Sequence, residues 1–309
     1  MVKFRILSLD SGGIRGILTA VLLERLEEAY PGFLSMVDLF AGSSTGGILA
    51  LGLAAGKTPS EAACMYERDG PEVFADSLLD DLKDAGNAFG AEYTNAGLKH
   101  VLQAEFGEQT LGQLPRRVLI SSFDLDNGGG NPRVLDGQRT WKPKFFHNFP
   151  GPGSDGDEKV VDVALRTSAA PSYFPVYQGY IDGGVVANNP SMCALAQTLD
   201  AGTGGRRLTQ VALLSVGTGR YARHLNAQSA DWGWTQWARP LIDIMLEGSV
   251  DVPDYQAARL LGRRYQRIDP VLPEPIDLGD LAQIPRLKEL AARVDIRPAV
   301  TWLKKNFQK

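Results

Sequence analysis

The sequence has few of the residues that build metal sites or disulfide frameworks. Its 309 residues include 2 cysteines and 3 histidines. Cys64 and Cys193 lie far apart in helical or apolar surroundings, which indicates neither a disulfide framework nor a metal knuckle, and we expect both thiols in the core. An acidic calcium loop of the EF-hand type is also missing. The sequence therefore calls for no metal and no cofactor.

An excess of basic residues and a membrane-spanning segment are missing as well. The formal net charge is -4, which leaves no basic footprint for nucleic acid. The first residues, MVKFRILSLD, mix charged and apolar side chains and lead directly into a glycine turn, unlike a secretory signal. No apolar run approaches the roughly 20 residues that span a bilayer. We therefore expect a cytoplasmic protein that makes at most transient contact with a membrane surface.

What the chain does have is an alternation of apolar runs and helical patterns. Its hydrophobic content of 44% is ample for a large core. Phe4–Leu9, Arg117–Leu125 and Gln210–Gly219 are typical of buried strands, and helical patterns lie between them. The alternation predicts an α/β fold, a three-layer sandwich in which helices cover both faces of a mainly parallel central sheet.

We interpret residues 1–309 as one domain. A core that carries the motifs covers about residues 4–219, and a part that we expect to be helical covers about residues 229–309. Within that part, Ser229–Val252 combines tryptophans with an apolar stripe. This pattern fits an amphipathic helix whose aromatic side chains belong to the core. The alternatives are a segment that lines a tunnel for an acyl chain and a surface that rests on a membrane interface.

The segment Asp38–Gly56, DLFAGSSTGGILALGLAAG, places a Gly-Ser-Ser-Thr-Gly pentapeptide between two apolar runs. The pattern predicts a strand, a sharp turn and a helix. In a G-x-S-x-G turn the central serine, here Ser44, lies on a strained corner that exposes its hydroxyl. Gly42 and Gly46 suit such a corner because side chains there would collide with nearby backbone. The pentapeptide alone is equally compatible with a glycine-serine loop that caps a buried helix.

A second glycine turn, DSGGIRG at residues 10–16, comes between an apolar strand and a helical pattern. Gly12 and Gly13 can turn bare amides toward an anion at the start of that helix, either a phosphate or an oxyanion. The dinucleotide fingerprint G-x-G-x-x-G is missed because Ser11 stands at its first glycine. Nucleotide binding at this turn is nevertheless an alternative to acyl chemistry.

Acyl chemistry at a serine also needs a base that takes the hydroxyl proton. Asp182 is the best candidate, because it stands at a strand end and is followed by two glycines that permit close approach. An ordinary aspartate has a pKa of about 4, so the site would have to desolvate the carboxyl group and raise its pKa. In isolation, Asp-Gly-Gly fits a structural aspartate that caps a turn even better.

A Ser-His-Asp triad is the alternative constellation. Ser44, Asp182 and His224 follow one another in the order of the α/β-hydrolases. Against a triad, the serine comes after only two strands, and no HGGG-type oxyanion segment is present. His100, His147 and His224 lie in polar or helical surroundings without an accompanying motif. The sequence therefore favours a site without histidine.

Four motifs together carry a resemblance to a known family. DSGGIRG at 10–16, GSSTG at 42–46, SAAPSYFP at 168–175 and DGG at 182–184 resemble the patatin-like phospholipases in order and spacing, over about residues 4–195. The later QVALLSVGTG strand is also similar to that family's sheet. The resemblance implies a patatin-like fold and hydrolysis of fatty-acyl esters of glycerophospholipids or lysophospholipids, without calcium.

The same resemblance implies a serine-aspartate dyad. Ser44 would attack the ester carbonyl, Asp182 would take its proton, and the amides of Gly12 and Gly13 would form the oxyanion hole. Water would then hydrolyse the acyl-enzyme. Acyl transfer to another acceptor at the same site, or a binding or storage protein with a dormant site, are the alternatives.

The other motif positions would support the two turns and the aspartate. They are Asp10, Arg15, Gly16, Gly42, Gly46, Gly183 and Gly184. For Arg15 we expect structural pairing rather than capture of a lipid phosphate. One departure is Ser11, where the family has glycine. A positive φ at Ser11 would cost about 1 kcal/mol, but the amides that follow it remain, so we expect the oxyanion hole to survive.

Overall fold

The computed structural model describes most of the chain. The described residues are 4–74, 91–128, 139–151, 153–221, 231–233, 236–237, 244 and 247–308. His224, the histidine of the alternative triad, lies outside them, as does much of the tryptophan-bearing segment 229–252. In the described part, no helix is long and apolar enough to cross a membrane.

Three of the strands coincide with the apolar runs that are typical of buried strands in the sequence, and the structure contains further strands. The strands are β1 (Phe4–Leu9), β2 (Leu39–Ser43), β3 (Arg117–Asp124), β4 (Lys142–His147), β5 (Tyr180–Asp182), β6 (Val211–Val216), β7 (Arg220–Tyr221), β8 (Tyr265–Ile268) and β9 (Val271–Leu272). The three that coincide with those apolar runs are β1, β3 and β6. The α-helices lie between and after the strands. They are α1 (Gly16–Ala29), α2 (Thr45–Ala54), α3 (Pro59–Val73), α4 (Asn95–Phe106), α5 (Val160–Thr167), α6 (Gly184–Ala187), α7 (Ser191–Leu199), α8 (Asp251–Leu261), α9 (Ile284–Arg293) and α10 (Arg297–Asn306).

The main sheet has the strand order β4-β3-β2-β1-β6-β8. Neighbours from β3 to β8 run parallel, and β4 lies antiparallel on β3. Side chains on one face, such as Leu7 and Leu9, pack in a core with α1 and α2. Side chains on the other face, such as Phe4 and Ile6, pack with Leu195 of α7. The predicted α/β fold with a mainly parallel sheet between helices is confirmed.

Two expectations from the sequence are wrong. The C-terminal part, 229–309, is not only helical, because β8 pairs in parallel with β6 and extends the main sheet. Its sequence, YQRI, alternates too weakly to predict a strand, and its pairing partner is remote in the chain. Cys64 is exposed rather than in the core, and Cys193 is half-buried. Cys64 lies on the solvent side of α3, whose buried face is formed by Ala62 and Ala63.

Candidate active site

Strand register brings Ser44 and Asp182 together. Ser43, the last residue of β2, pairs with Ser121 of β3. Asp182, the last residue of β5, pairs with Ser122, the next residue of β3. The strands β2 and β5 therefore meet end to end on one side of β3. At this junction the Ser44 hydroxyl lies beside the Asp182 carboxylate, close enough to lower the pKa of that group.

The backbone of Ser44 is strained in the way a nucleophile turn requires. Its φ is 52° and its ψ is -124°, a conformation that costs a non-glycine residue about 1–3 kcal/mol. The Ser44 N–H donates to the Thr167 hydroxyl at 2.9 Å, and that hydroxyl donates to the Ser121 carbonyl at 2.6 Å. Thr167 thus holds the strained turn against β3. Sequence reasoning missed this residue, although it directly precedes the SAAPSYFP motif.

The glycines around the turn are required by close backbone contacts. A Cβ on Gly42 would lie 2.1 Å from the Gly46 carbonyl oxygen, and a Cβ on Gly46 would lie 2.4 Å from the Leu9 carbonyl oxygen. Gly183 has the same limitation, since a Cβ there would lie 2.2 Å from the Ser121 carbonyl oxygen. These contacts let β1, the turn and the Asp-Gly-Gly segment converge.

We expect Gly46→Ala to lower the free energy of unfolding by about 3 kcal/mol or more, because its methyl group would collide with fixed backbone. Gly52→Ala is the matched control in the same helix. A Cβ on Gly52 meets only Lys57 Cδ, at 3.6 Å, so this change should raise stability by about 0.5–1 kcal/mol through helix propensity. Urea unfolding measures both. Native stability of Gly46→Ala would contradict the close packing.

The first glycine turn faces the same site. Gly13 has a φ of +55°, and a Cβ there would lie 2.4 Å from the Leu278 carbonyl oxygen. That carbonyl accepts the Ile14 N–H at 2.8 Å. Within the described ranges, the amides of Gly12 and Gly13 donate to no protein acceptor. Two free amides beside the start of α1 can stabilise a developing oxyanion.

Ser11 fits the turn without strain. Its φ is not positive, so the cost considered above does not arise. Its N–H donates to the Asn188 carbonyl at 3.0 Å, and its carbonyl accepts the Thr218 hydroxyl at 2.8 Å. The peptide that carries the Gly12 amide is therefore held through its carbonyl, and the preceding peptide is held through its N–H.

Arg15 and two further glycines hold the turn and the aspartate in place. The buried Arg15 donates to the Gly12 carbonyl at 3.3 Å and pairs with Glu247 at 3.4 Å. These contacts support a role for Arg15 in fixing the turn. Gly16 leaves room for the Tyr66 hydroxyl, which would lie 2.2 Å from a Cβ. The Gly184 N–H donates to Asp182 Oδ1 at 2.6 Å.

Burial has the largest effect on the pKa of the Asp182 carboxyl group. Desolvation raises the pKa of its carboxyl group to about 6, although the neighbouring Ser44 hydroxyl and the hydrogen bond from the Gly184 N–H act in the opposite direction. A carboxylate in this range is ionised at neutral pH and is a far better proton acceptor than an ordinary aspartate. The site therefore provides the desolvation that a lone aspartate base requires.

Ser44 and Asp182 open on a large cavity. Its volume is about 970 Å³, and Gly12, Gly13 and Ser11 also line it. Most of the remaining wall is apolar, and α2, α3 and α4 contribute to it. Representative residues are Ile48, Met65, Val73, Leu98, Leu102 and Phe106. A cavity of this size and character can bury an apolar ligand next to the Ser44 hydroxyl.

The described histidines lie elsewhere. Neither His100 nor His147 lines the cavity. His100 is exposed and pairs with Glu72 at 2.5 Å, and His147 is buried on β4. Among the residues that the structure describes, no group of three or more His, Cys, Asp or Glu side chains could hold a metal ion.

Comparison with known proteins agrees with this architecture. A model of the patatin-like phospholipase family matches residues 7–195. The putative sporulation hydrolase CotR of Bacillus subtilis (strain 168) is 31% identical, over 99% of this chain and 99% of its own length. A cGAMP-activated phospholipase of Pseudomonas aeruginosa is 32% identical, over 86% of this chain and 78% of its own length.

Solved structures also match. One is that of the heterodimeric complex ExoU-SpcU from the type III secretion system of Pseudomonas aeruginosa, at 17% identity and a TM-score of 0.48. The match covers 99% of this chain and 52% of that chain. The family model covers more than half of the sequence, and the chain therefore belongs to the patatin-like phospholipase family.

Proposed function

We propose that the protein hydrolyses fatty-acyl esters of glycerophospholipids or lysophospholipids through a Ser44-Asp182 dyad. The observation that carries this proposal is the placement of the Ser44 hydroxyl beside the buried Asp182 carboxylate, in the wall of one apolar cavity. The family supports a lipid acyl hydrolase, and the geometry supports the roles of the two residues.

In the acylation step, Ser44 Oγ attacks the ester carbonyl carbon while its proton moves to Asp182. The negative charge develops on the carbonyl oxygen, toward which the Gly12 and Gly13 amides are free to donate. When the tetrahedral intermediate collapses, the bond to the glycerol oxygen breaks and this oxygen takes the proton from Asp182. The lysolipid or glycerol product leaves, and the acyl group stays on Ser44.

In the deacylation step, water replaces the departed alcohol beside Asp182. The carboxylate takes a proton from the water, the hydroxide attacks the acyl carbonyl, and the same two amides receive the negative charge. Collapse of this intermediate returns the proton to Ser44 Oγ and releases the fatty acid. We propose that no calcium is needed, because the two amides supply the positive potential that a cation would supply elsewhere.

The C-terminal part contributes to this site, which supports treating residues 1–309 as one domain. The Leu278 carbonyl accepts the Ile14 N–H beside the oxyanion turn. Arg267 pairs with Asp10, at the start of the same turn, at 2.6 Å. Leu278 and Arg267 both lie beyond the segment that the family model matches.

The proposal is tested by fatty-acid release from vesicles of phosphatidylcholine and from lysophosphatidylcholine, in excess EDTA. We expect release of free fatty acid that EDTA does not reduce. Adding a short alcohol distinguishes the alternatives, since an acyltransferase would form mainly the alkyl ester. A protein that binds both lipids and releases no fatty acid would instead be a binding protein with a dormant site.

We expect kcat/KM to fall by about tenfold per pH unit below about pH 6. Asp182 must be ionised to accept the proton, and burial raises the pKa of its carboxyl group to about 6, so the active form is lost as pH falls through that value. A pH-rate profile with a p-nitrophenyl ester measures this acid limb, the fall of kcat/KM toward low pH. Circular dichroism over the same range controls for unfolding. A limb at about pH 4, the range of an ordinary aspartate, would contradict the desolvated base.

A further inference from the structure

The cavity follows one face of α2 away from the nucleophile. Ser44, Ile48 and Gly52 are spaced four residues apart, and all three line the cavity. Within α2 only Ile48 is half-buried, while the other residues of the helix are buried. With a rise of 1.5 Å per residue, Gly52 lies about 12 Å along the helix from Ser44.

Two other helices form walls of matching length. Leu98, Leu102 and Phe106 repeat at four-residue spacing along α4 and line the cavity. Ala62, near the start of α3, and Val73, at its end, line it as well. The cavity thus extends between three helices over several turns, as a long apolar ligand would require.

Lys57 lines the cavity next to Gly52. The N–H of this residue donates to the Gly52 carbonyl at 3.0 Å, and its Cδ is the atom nearest to a Cβ on Gly52. Its Nζ lies 5.9 Å from the centre of the Phe106 ring and contacts the Glu105 carboxylate. The alkyl part of Lys57 therefore borders the apolar space, and the charged end is neutralised behind it.

Gly52 has none of the usual structural reasons for being glycine. Its φ is not positive, and a Cβ there would meet only Lys57 Cδ, at an ordinary contact distance of 3.6 Å. By contrast, a Cβ on Gly47 of the same helix would lie 3.0 Å from Thr167 Cγ2. Glycine is unfavourable inside a helix. The space that a side chain at position 52 would fill is therefore part of the cavity.

We propose that Gly52 determines the length of acyl chain that the site accepts, and that the substrates are long-chain acyl esters. This inference rests on the proposed function, because it places the acyl chain of the Ser44 ester along the Ser44, Ile48 and Gly52 face. An extended octanoyl chain ends before the level of Gly52, whereas a palmitoyl chain passes it. A large side chain at position 52 blocks the second chain only.

The test compares kcat/KM for p-nitrophenyl octanoate and p-nitrophenyl palmitate in Gly52→Leu. We expect the palmitate value to fall by about 10- to 100-fold relative to octanoate, which is the range of steric discrimination in apolar pockets. Gly52→Ala should lower the palmitate value less than Gly52→Leu does. Ala104→Leu, which places the same side chain on the exposed face of α4, should change neither rate.

An unchanged palmitate-to-octanoate ratio in Gly52→Leu overturns the proposal, whether both rates are retained or both fall. Binding separates this failure from a failure of the proposed function. In a Ser44→Ala background, calorimetry with palmitic acid should show weaker binding after Gly52→Leu, while octanoic acid binds as before. Equal palmitic acid binding with and without Gly52→Leu overturns the chain-length role even if no ester is hydrolysed.

Discussion

Asp182→Asn and Ser44→Ala are each expected to lower kcat for ester hydrolysis by about 10⁴-fold. Alanine removes the attacking oxygen, and asparagine cannot accept the proton that Ser44 must lose. Losses of this size follow removal of one member of a nucleophile-base pair. Initial rates with a p-nitrophenyl acyl ester measure the effect, with circular dichroism to show that each variant is folded.

Ser43→Ala is the matched control for these variants. Ser43 is the residue before the proposed nucleophile, and its buried hydroxyl has no hydrogen-bond partner in the described structure. Removing it leaves no partner unpaired, so activity and stability should stay close to those of the native protein. Asp182→Asn activity within tenfold of native would show that Asp182 is not the base.

Arg267→Met is expected to lower the free energy of unfolding by about 3–5 kcal/mol. Arg267 pairs with Asp10 at 2.6 Å and with Asp269 at 2.9 Å, and the three side chains are only 11%, 3% and 8% exposed. Even with this partner, burial raises the pKa of Asp10 to about 7. Methionine would leave two buried carboxyl groups without a counter-charge, which is the costly way to break a buried ion pair.

Arg297→Met provides the control for a lost arginine charge. Arg297 pairs with Asp295 at 2.7 Å, but the two side chains are 88% and 51% exposed. Solvent screens such a pair, so its loss should leave stability almost unchanged. Chemical unfolding of both variants gives the comparison. Equal, small effects would show that the Asp10-Arg267-Asp269 cluster does not stabilise the fold.

Local sequence pattern accounts for much of the fold and for the candidate residues. The G-x-S-x-G pentapeptide predicts the strand, corner and helix around Ser44, because the apolar runs and the glycines act over short range. The glycine pair at Gly12 and Gly13 likewise predicts a turn with free amides. The resemblance to a family then connects these turns with Asp182, which its own surroundings in the sequence do not distinguish from a turn cap.

Long-range pairing accounts for what the sequence could not predict. Asp182 reaches Ser44 because β5 continues the line of β2 along β3, and no local pattern encodes that register. Thr167 supports the nucleophile turn from a helix end 123 residues away. Arg267 meets Asp10 across 257 residues, on a strand whose sequence alternates too weakly to be recognised. In each case, tertiary contact gives an ordinary polar residue its place at the site.

The central claim is that Ser44 is the nucleophile and needs no histidine. An alkyl fluorophosphonate probe, followed by mass spectrometry of the labelled peptides, tests this claim most directly. We predict a single label on Ser44 that persists in Ser43→Ala and His224→Ala, becomes much slower in Asp182→Asn and disappears in Ser44→Ala. A label on another residue, or one that is lost in a folded His224→Ala variant, would contradict the serine-aspartate dyad.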